Sequence, residues 1–190
     1  MARFAAFLDA CVLVPITTCD TLLRMAGAGA FRPLWSEEVF DEAQRALGRI
    51  HPDIDSNRFR SRFRSMSLSF EDAMVTGWEP LVASIRLPDE NDRHVVAAAL
   101  VGRADAIVTE NTDDFPAEVL EPLGLIALKL DEFLLDQFDL APDAALGVIE
   151  EQSAAMINPP VDVQVLLERL SRSGAPRFAE KIREQIARSD

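Results

Sequence analysis

The sequence predicts an α/β fold in which helices cover both sides of a short parallel sheet. Three observations support this prediction. Short apolar runs alternate with helical segments over the first 130 residues, the order that builds a parallel sheet. The runs are apolar at almost every position, as in strands that are buried on both faces. The chain has 190 residues, 48% of them hydrophobic, which is enough for one well-buried domain.

The first two predicted strands are separated by one helix. Residues 3 to 8 form the first apolar run, and Asp9 stands at its carboxyl end. Residues 17 to 27 follow as a helix that ends at a glycine, and "FRPLW" is a short second strand. The first strand therefore leads directly into a carboxylate at the edge of the core.

Two amphipathic helices follow the second strand. Ser36 is the predicted N-cap of the first, which extends to Gly48 and places Glu42 at the border of its apolar side. The second contains "NRFRSRFRSM", residues 57 to 66, in which two phenylalanines share a face that can contact the core. Its exposed sides carry four arginines, which could either balance nearby acids or contact phosphates: Arg58, Arg60, Arg62 and Arg64.

Residues 87 to 116, "LPDENDRHVVAAALVGRADAIVTENTDDFP", are the most informative part of the chain. After a polar loop, Asp92 falls in the first turn of a helix that ends at Gly102, and the small apolar side chains of this helix suit packing on a sheet. Residues 104 to 109 form the next strand, whose carboxyl end opens into the polar loop "ENTDD". A strand near "LIALKL" completes the alternation, and the rest of the chain is predicted to be helical.

Three acidic segments are expected to meet at one edge of this sheet. Asp9 and residues 111 to 114 follow strands, and Asp92 begins a helix at the same edge, where open parallel sheets bind ligands. Two carboxylates about 4 Å apart repel by roughly 4 kcal/mol at an effective dielectric constant of 20, so such a cluster needs a cation. Oxygen ligands without thiolate or imidazole suit Mg²⁺ or Mn²⁺. Such an ion can promote the attack of water on a phosphodiester.

Each acid also has an ordinary structural explanation. Asp9 could cap a helix, Glu42 could be a surface residue, and Asp92 could simply favour a helix amino end. Their common placement at one edge is the reason to prefer a metal site. His94 is expected to lie on the helix surface, and the sequence offers no histidine-based triad, which argues against acyl transfer.

The composition excludes some classes of protein. The formal net charge of −13 argues against a protein that coats nucleic acid through a positive field. No apolar run approaches the roughly 20 residues of a membrane span and no signal segment is recognisable, so we expect a cytoplasmic protein without membrane contact. Cys11 and Cys19 are expected to be small buried side chains rather than a disulfide.

Five segments together resemble the PIN-domain family: "LDACVLVP", "WSEEVFDEAQRAL", "DENDRHVVAAAL", "ADAIVTENTDDFP" and "LDEFLLDQFDLAP", in the family's order and spacing. They are particularly similar to bacterial VapC-type toxin ribonucleases, in a subgroup with a helical C-terminal extension. The resemblance implies a three-layer α/β/α sandwich with a short parallel sheet at residues 1–130 and C-terminal helices at residues 131–190. It also implies endonucleolytic cleavage of RNA that depends on Mg²⁺ or Mn²⁺, and a cognate antitoxin protein as partner.

The resemblance assigns roles to particular residues. Asp9, Glu42 and Asp92 match the first three acids of the family's metal-binding quartet. Asn111 occupies the fourth position, and Asp114 is the alternative acid three residues later. These five residues are the predicted metal ligands, and the four acids among them are the predicted catalytic residues. The arginines between residues 58 and 64 are predicted to guide the RNA backbone.

Two other functions stay open at this point. A phosphatase or receiver that works through an aspartyl phosphate could share such a sheet, although Cys11 stands where such a phosphatase has a second aspartate and residues 1–8 lack the acids of a receiver. A degenerate PIN fold could bind RNA or a protein without cleavage, which the neutral Asn111 makes credible. The C-terminal helices could pack on the core, pair two copies as a homodimer or contact the antitoxin.

Overall fold

The computed structural model of the protein describes residues 3–189 and contains a four-stranded parallel sheet. The strand order is β2-β1-β3-β4, and each neighbouring pair is parallel. The strands are β1 (Ala5–Leu8), β2 (Arg32–Leu34), β3 (Ala106–Val108) and β4 (Ile126–Leu128). The predicted fold class, an α/β fold with a short parallel sheet and C-terminal helices, is confirmed.

Helices occupy most of the remaining described chain. In chain order they are α1 (Ala10–Leu13), α2 (Ile16–Gly27), α3 (Glu37–Ile50), α4 (Ser56–Ser69), α5 (Arg93–Gly102), α6 (Ala117–Leu120), α7 (Leu130–Leu140), α8 (Pro142–Ala155), α9 (Val163–Arg172) and α10 (Pro176–Ser189). Short 3₁₀ turns lie at Glu79–Ser84, Glu90–Asp92, Thr112–Asp114 and Glu121–Leu123. Over the described residues, every helix is too short or too polar to cross a membrane.

The chain forms two compact units. The first comprises the residues up to Val14 together with Arg32–Leu128, and it holds the whole sheet. The second comprises Pro15–Phe31 and the residues from Lys129 onward, and it is helical. Helix α2 therefore belongs to the same unit as the C-terminal helices, although it lies early in the sequence. The division into residues 1–130 and 131–190 stays a prediction.

The core of the first unit is built around β1. Phe7 and Leu8 are fully buried, as expected of a central strand that is covered on both faces. Helix α5 contacts β1 and β3, and its buried run of valine and alanine side chains allows this close approach. Burial of each large apolar side chain contributes about 1.5–3 kcal/mol to folding. The sheet is thereby a rigid support for the residues that follow its strands.

Helices α3 and α4 form the rest of the first unit's helical wall. Ser36 caps α3 as predicted, and its hydroxyl accepts a hydrogen bond from the backbone N–H of Val39 at 3.3 Å. Helix α3 continues two residues beyond the predicted end at Gly48, because one helical glycine costs only about 1 kcal/mol. In α4, Phe59 and Phe63 are buried, which confirms the predicted core-facing side of that helix.

The second unit has its own core. Helix α2 contacts α8 and α9, and α10 contacts α7, α8 and α9. The buried hydroxyl of Thr21 donates to Gln152 Oε1 at 2.7 Å, and the amide of Gln152 donates to the Thr17 carbonyl at 3.0 Å. Phe31 and Phe133 meet edge to face with ring centroids 4.8 Å apart. These contacts satisfy the buried polar groups that would otherwise oppose packing.

Candidate active site

Asp9 is buried at the carboxyl end of the central strand. It is the N-cap of α1, and its Oδ1 accepts a hydrogen bond from the backbone N–H of Ala10 at 2.6 Å. Its Oδ2 accepts a hydrogen bond of 2.7 Å from the hydroxyl of Thr109, the residue that follows β3. Only 7% of Asp9 is exposed. The strand and its neighbour therefore hold this carboxylate in one orientation and offset part of its desolvation cost.

Cys11 is the third donor to this carboxylate. Its Sγ lies 3.2 Å from Asp9 Oδ2 and accepts a hydrogen bond from the backbone N–H of Glu110 at 3.2 Å. Burial, followed by the negative charge of Asp9, raises the pKa of the Cys11 thiol to about 12. The thiol is therefore protonated at neutral pH and can donate to Asp9 rather than act as a nucleophile.

Glu42 projects from α3 and contacts a histidine on another helix. Its Oε1 lies 3.1 Å from Nε2 of His94, which belongs to α5. The prediction that His94 lies on the surface was wrong, because the residue is 7% exposed and its ring lies against that of Trp78, tilted by 48° at a centroid distance of 5.8 Å. The 3₁₀ segment Glu79–Ser84, which follows Trp78, covers this part of α5.

Two opposing effects act on the His94 imidazole. Burial lowers its pKa, but the hydrogen bond and charge of Glu42, together with the charges of Glu38 and Asp9, raise the pKa above the usual value overall. The Glu42–His94 contact is therefore a charge-assisted hydrogen bond whenever the ring is protonated. It fixes one oxygen of Glu42 and connects α3 to α5.

Asp92 stands at the amino end of α5. It ends the 3₁₀ turn Glu90–Asp92 and occupies the N-cap position of the helix without a capping hydrogen bond from its side chain. Burial raises its pKa to about 6, with further contributions from the charges of Asp9, Asp89 and Asp114. Asp9, Asp89 and Asp114 are thus near enough to oppose the ionisation of Asp92.

The loop after β3 contains Asn111 and Asp114, which differ in their relation to the cleft that Asp9 and Asp92 line. Asn111 directly precedes the 3₁₀ turn Thr112–Asp114, and its carbonyl accepts a hydrogen bond from the backbone N–H of Asp114 at 3.0 Å. Asn111 lines the same cleft as Asp9 and Asp92. Asp114 is not among the residues that line this cleft, although its charge contributes to the raised pKa of Asp92.

One cleft of about 480 Å³ brings most of the predicted site together. Asp9 comes from the end of β1, Asp92 from the start of α5, and Asn111 from the loop after β3. The cleft is lined by Asp9, Ala10, Cys11, Val14, Glu42, Arg45, Ala46, Arg49, Asp92 and Asn111. The metal-binding and catalytic roles of these residues stay predictions, but four of the five predicted ligands share one surface.

The predicted RNA-guiding arginines lie elsewhere on α4. Arg60 and Arg64 line a separate cavity of about 720 Å³ between α3 and α4, and Arg58 is exposed. The Arg62 guanidinium donates to the carbonyl oxygens of Leu13 at 2.7 Å and of Val14 at 3.3 Å. Arg62 therefore holds the carboxyl end of α1, the helix that Asp9 caps. Contact of these four arginines with RNA stays a prediction.

The donor chemistry of the cleft fits a hard divalent cation. Within residues 3–189, no three Asp, Glu, His or Cys side chains already stand in the geometry of a formed metal centre. The groups that line the cleft are nevertheless carboxylate and amide oxygens, which Mg²⁺ and Mn²⁺ prefer. Burial and, after it, repulsion by the nearby carboxylates raise the pKa of Asp92, and a bound cation would relieve that repulsion.

Sequence reasoning missed two groups of residues. Arg45 and Arg49 lie three and seven positions after Glu42, a spacing that places them on the same side of α3, so helical periodicity could have found them. Thr109 and His94 were missed for a different reason. Their partners are separated from them by 100 and 52 positions, and no local pattern signals such contacts.

Comparison with known families identifies both parts of the chain. The PIN domain matches residues 5–113, more than half of the 190 residues, and the VapC50 C-terminal domain matches residues 130–184. The chain belongs to the PIN-domain family. The resemblance to the VapC-type group with a helical C-terminal extension is likewise confirmed.

A related protein of Mycobacterium tuberculosis (strain ATCC 25618 / H37Rv) carries the name "Putative ribonuclease VapC50". It is 41% identical to this chain over 111 residues, which cover 58% of this chain and 64% of that protein. The match therefore spans less than two thirds of the relative's length. No solved structure matches the chain.

Proposed function

We propose that this protein is a Mg²⁺- or Mn²⁺-dependent endoribonuclease and the toxin of a type II toxin–antitoxin pair. The observation that carries the proposal is the single cleft shared by Asp9, Glu42, Asp92 and Asn111. Membership of the PIN-domain family supports a nuclease, and the name of the related protein contains the word ribonuclease. RNA is accordingly the proposed substrate.

In this proposal, Asp9 and Asp92 hold the cation while Glu42 and residues 111–114 orient water. The hydrogen bonds from Ala10, Thr109 and Cys11 keep the Asp9 carboxylate in place. Oδ1 accepts one of them and retains a further lone pair for the cation, whereas Oδ2 accepts the other two. His94 occupies Oε1 of Glu42, which leaves Oε2 to accept a hydrogen bond from the attacking water. When bound, the cation supplies Lewis-acid activation and neutralises charge on the phosphodiester.

Water then attacks phosphorus in line with the oxygen that leaves. A new oxygen–phosphorus bond forms as the water gives up one proton, the bond from phosphorus to the 3′ oxygen breaks, and the 3′ oxygen takes up one proton from solvent. The products are a 5′-phosphate and a 3′-hydroxyl, as the resemblance to the family implies. No covalent intermediate with the protein is needed, which agrees with the neutral thiol of the half-buried Cys11.

The decisive experiment compares Asp9→Asn with a matched acid outside the cleft, Asp72→Asn, which is exposed in the turn after α4. Cleavage of a labelled total-RNA preparation is followed with Mg²⁺ or with EDTA, and Mn²⁺ affinity is measured by calorimetry. We expect Asp9→Asn to lose cleavage and to bind Mn²⁺ at least tenfold more weakly while keeping its circular dichroism spectrum. Asp72→Asn should behave as wild type. Cleavage by Asp9→Asn that still depends on metal would refute the assignment.

The proposed biological setting follows from the VapC-type resemblance. A cognate antitoxin would cover the acidic cleft, and the net charge of −13 suits a basic inhibitory segment. A cytoplasmic location and a homodimer belong to the same proposal. Size-exclusion chromatography with light scattering measures the oligomeric state, and co-expression with the adjacent gene product tests for inhibition.

A second candidate function rests on the neutral Asn111 in the fourth ligand position. With one charge fewer at the cleft, a degenerate PIN fold would bind RNA or a protein without cleavage. The same calorimetry separates the two functions, because this alternative requires weak Mn²⁺ uptake by the wild-type protein. Asn111→Asp should then restore metal binding.

A further inference from the structure

Two arginines line the acidic cleft itself. Arg45 and Arg49 belong to α3 and face the same cavity as Asp9 and Asp92. With Glu42 they follow a spacing of three and four residues, so they form one row along the helix. A predicted water-orienting acid and two cations therefore share one face of α3.

Neither arginine is committed to a strong interaction within the protein. Arg45 pairs with Glu38 at 3.1 Å, but the side chains are 61% and 42% exposed, and such surface pairs contribute about 0–1 kcal/mol. Arg49 has no hydrogen bond or ion pair within residues 3–189. Neither arginine forms an ion pair with Asp9 or Asp92 in the part of the chain that the structure describes.

A phosphodiester that enters this cleft needs positively charged side chains near the carboxylates. The whole chain carries a net charge of −13, and carboxylates at the cleft repel phosphate oxygens. Arginine is suited to this task because its planar guanidinium can donate two parallel hydrogen bonds to a phosphate. A bound cation would neutralise the scissile phosphate, but the neighbouring phosphates of the strand would still lack partners.

Two arginines of α4 line a different cavity. Arg60 and Arg64 line the space between α3 and α4, where Asp41 and Phe40 form part of the opposite wall. At 100° per residue, Phe40 lies on the side of α3 turned away from Glu42 and Arg49, and Asp41 lies about a right angle from both. Arg45 and Arg49 are consequently the arginines that line the acidic cleft among the described residues.

We propose that Arg45 and Arg49 bind the phosphates of the RNA strand that flank the scissile phosphate in the cleft. The inference rests on the proposed ribonuclease function and adds a substrate-binding site to it. Each guanidinium takes one phosphate, so each contact releases counterions from the RNA when the strand binds. The affinity for RNA should then depend on salt through these two residues.

The test measures binding of a short fluorescent oligouridylate to the full-length protein in EDTA, where no cleavage is expected. For single strands, each neutralised phosphate contributes about 0.7 to the slope of log K against log salt concentration. The double variant Arg45→Gln/Arg49→Gln should therefore lose about 1.4 from the wild-type slope. The charge-conserving variant Arg45→Lys/Arg49→Lys should keep the wild-type slope. This result would show that the glutamine variant loses slope because it loses charge, not because it loses structure.

The matched control is Arg103→Gln. Arg103 is the C-cap of α5 just before β3, so it lies at the amino ends of the strands, opposite the cleft. We expect its slope to equal that of wild type. An unchanged slope in the Arg45→Gln/Arg49→Gln variant, with normal wild-type binding, would overturn this inference alone. Failure of the wild-type protein to bind the oligouridylate even at low salt would instead count against the ribonuclease proposal as well.

Discussion

At the scale of single residues, Asp92 carries the electrostatic cost of the cleft. Burial and the charges of nearby acids raise its pKa from 3.8 to about 6. A carboxyl group whose pKa is higher in the folded than in the unfolded protein opposes folding when it ionises. The cost is absent below about pH 4, grows between about pH 4 and pH 6, and is fully present at higher pH.

Asp92→Asn should therefore stabilise the metal-free protein at pH 7.5. A shift of two pKa units corresponds to about 3 kcal/mol, and solvent screening of this partly exposed group reduces the expected gain to about 1 kcal/mol. The loss of helix capping should be small, because Asp92 makes no capping hydrogen bond and asparagine is an equally good N-cap. Thermal unfolding in EDTA measures the effect.

The pH dependence provides the control for this substitution. The gain should shrink towards zero at about pH 4.5, where the Asp92 carboxyl is protonated in the folded protein. Asp72→Asn, which removes an exposed charge, should show little gain at either pH. An unfolding temperature lower for Asp92→Asn than for wild type at pH 7.5 would contradict this prediction, because it would mean that the ionised Asp92 carboxylate stabilises the folded protein.

The environment of His94 also allows a quantitative prediction, which concerns the free energy of unfolding. His94→Phe keeps an aromatic ring near Trp78 but removes the 3.1 Å contact with Glu42. Hydrogen bonds to charged groups contribute about 1.5–3 kcal/mol, so the free energy of unfolding should fall by that amount at pH 7. Urea unfolding of His94→Phe, Glu42→Gln and the double variant measures it as a double-mutant cycle. Additive effects of the two substitutions would show that the pair is not coupled.

At the scale of secondary-structure elements, the site depends on where strands and helices end. Strand β1 leads directly into α1, so Asp9 both follows the last residue of the strand and caps the helix. Asn111 follows β3, and Asp92 precedes α5, which packs on both β1 and β3. Glu42 alone comes from the middle of a helix. Small shifts of α5 against the sheet should consequently move Asp92 relative to Asp9.

Gly102, the last residue of α5, provides a test of this packing. A Cβ atom there would lie 2.8 Å from Val75 Cγ2 and 3.0 Å from Leu34 Cδ1, and both side chains are buried. Gly102→Ala should therefore destabilise the protein by about 1–3 kcal/mol through overpacking. The matched substitution Gly48→Ala in α3 meets no atom within 4 Å and should stabilise by up to about 1 kcal/mol. Equal unfolding midpoints in urea for the two variants would contradict the close approach of α5 to β2.

The sequence predicted most elements, and its errors have local causes. Helix α3 was predicted from its N-cap and periodicity, and it extends two residues further because a single glycine does not end a helix. Helix α1 was not predicted, since four residues are too few to show a periodicity. The prediction for His94 failed because the covering segment near Trp78 has no regular pattern, so its position could not be inferred.

At the scale of the whole molecule, the charge of −13 acts on stability as well as on binding. An excess of one sign repels itself and opposes the folded state, and salt weakens this repulsion. The Debye length falls from about 30 Å at 0.01 M to about 8 Å at 0.15 M salt. The metal-free protein should consequently unfold at a temperature a few degrees higher at the higher salt concentration.

Scanning calorimetry in EDTA with NaCl and with Na₂SO₄ at equal ionic strength measures this dependence. Screening depends on ionic strength, so the two salts should give similar increases at these low concentrations. A rise with sulfate alone would indicate ion exclusion from the surface instead. An unfolding temperature that falls as NaCl increases would show that attractive ion pairs outweigh the net repulsion.

By itself, the sequence determined the α/β class and the family and supplied the acids predicted as ligands, because burial of strands, helix caps and spaced motifs are properties of short segments. Only the tertiary structure decided which of these groups meet. It placed Asp9, Glu42, Asp92 and Asn111 at one cleft with Arg45 and Arg49, and it gave Asp9 its partner Thr109 from 100 positions away. Parallel strands join segments that are distant in sequence, and the charges and hydrogen bonds between such segments depend on distances that exist only after folding.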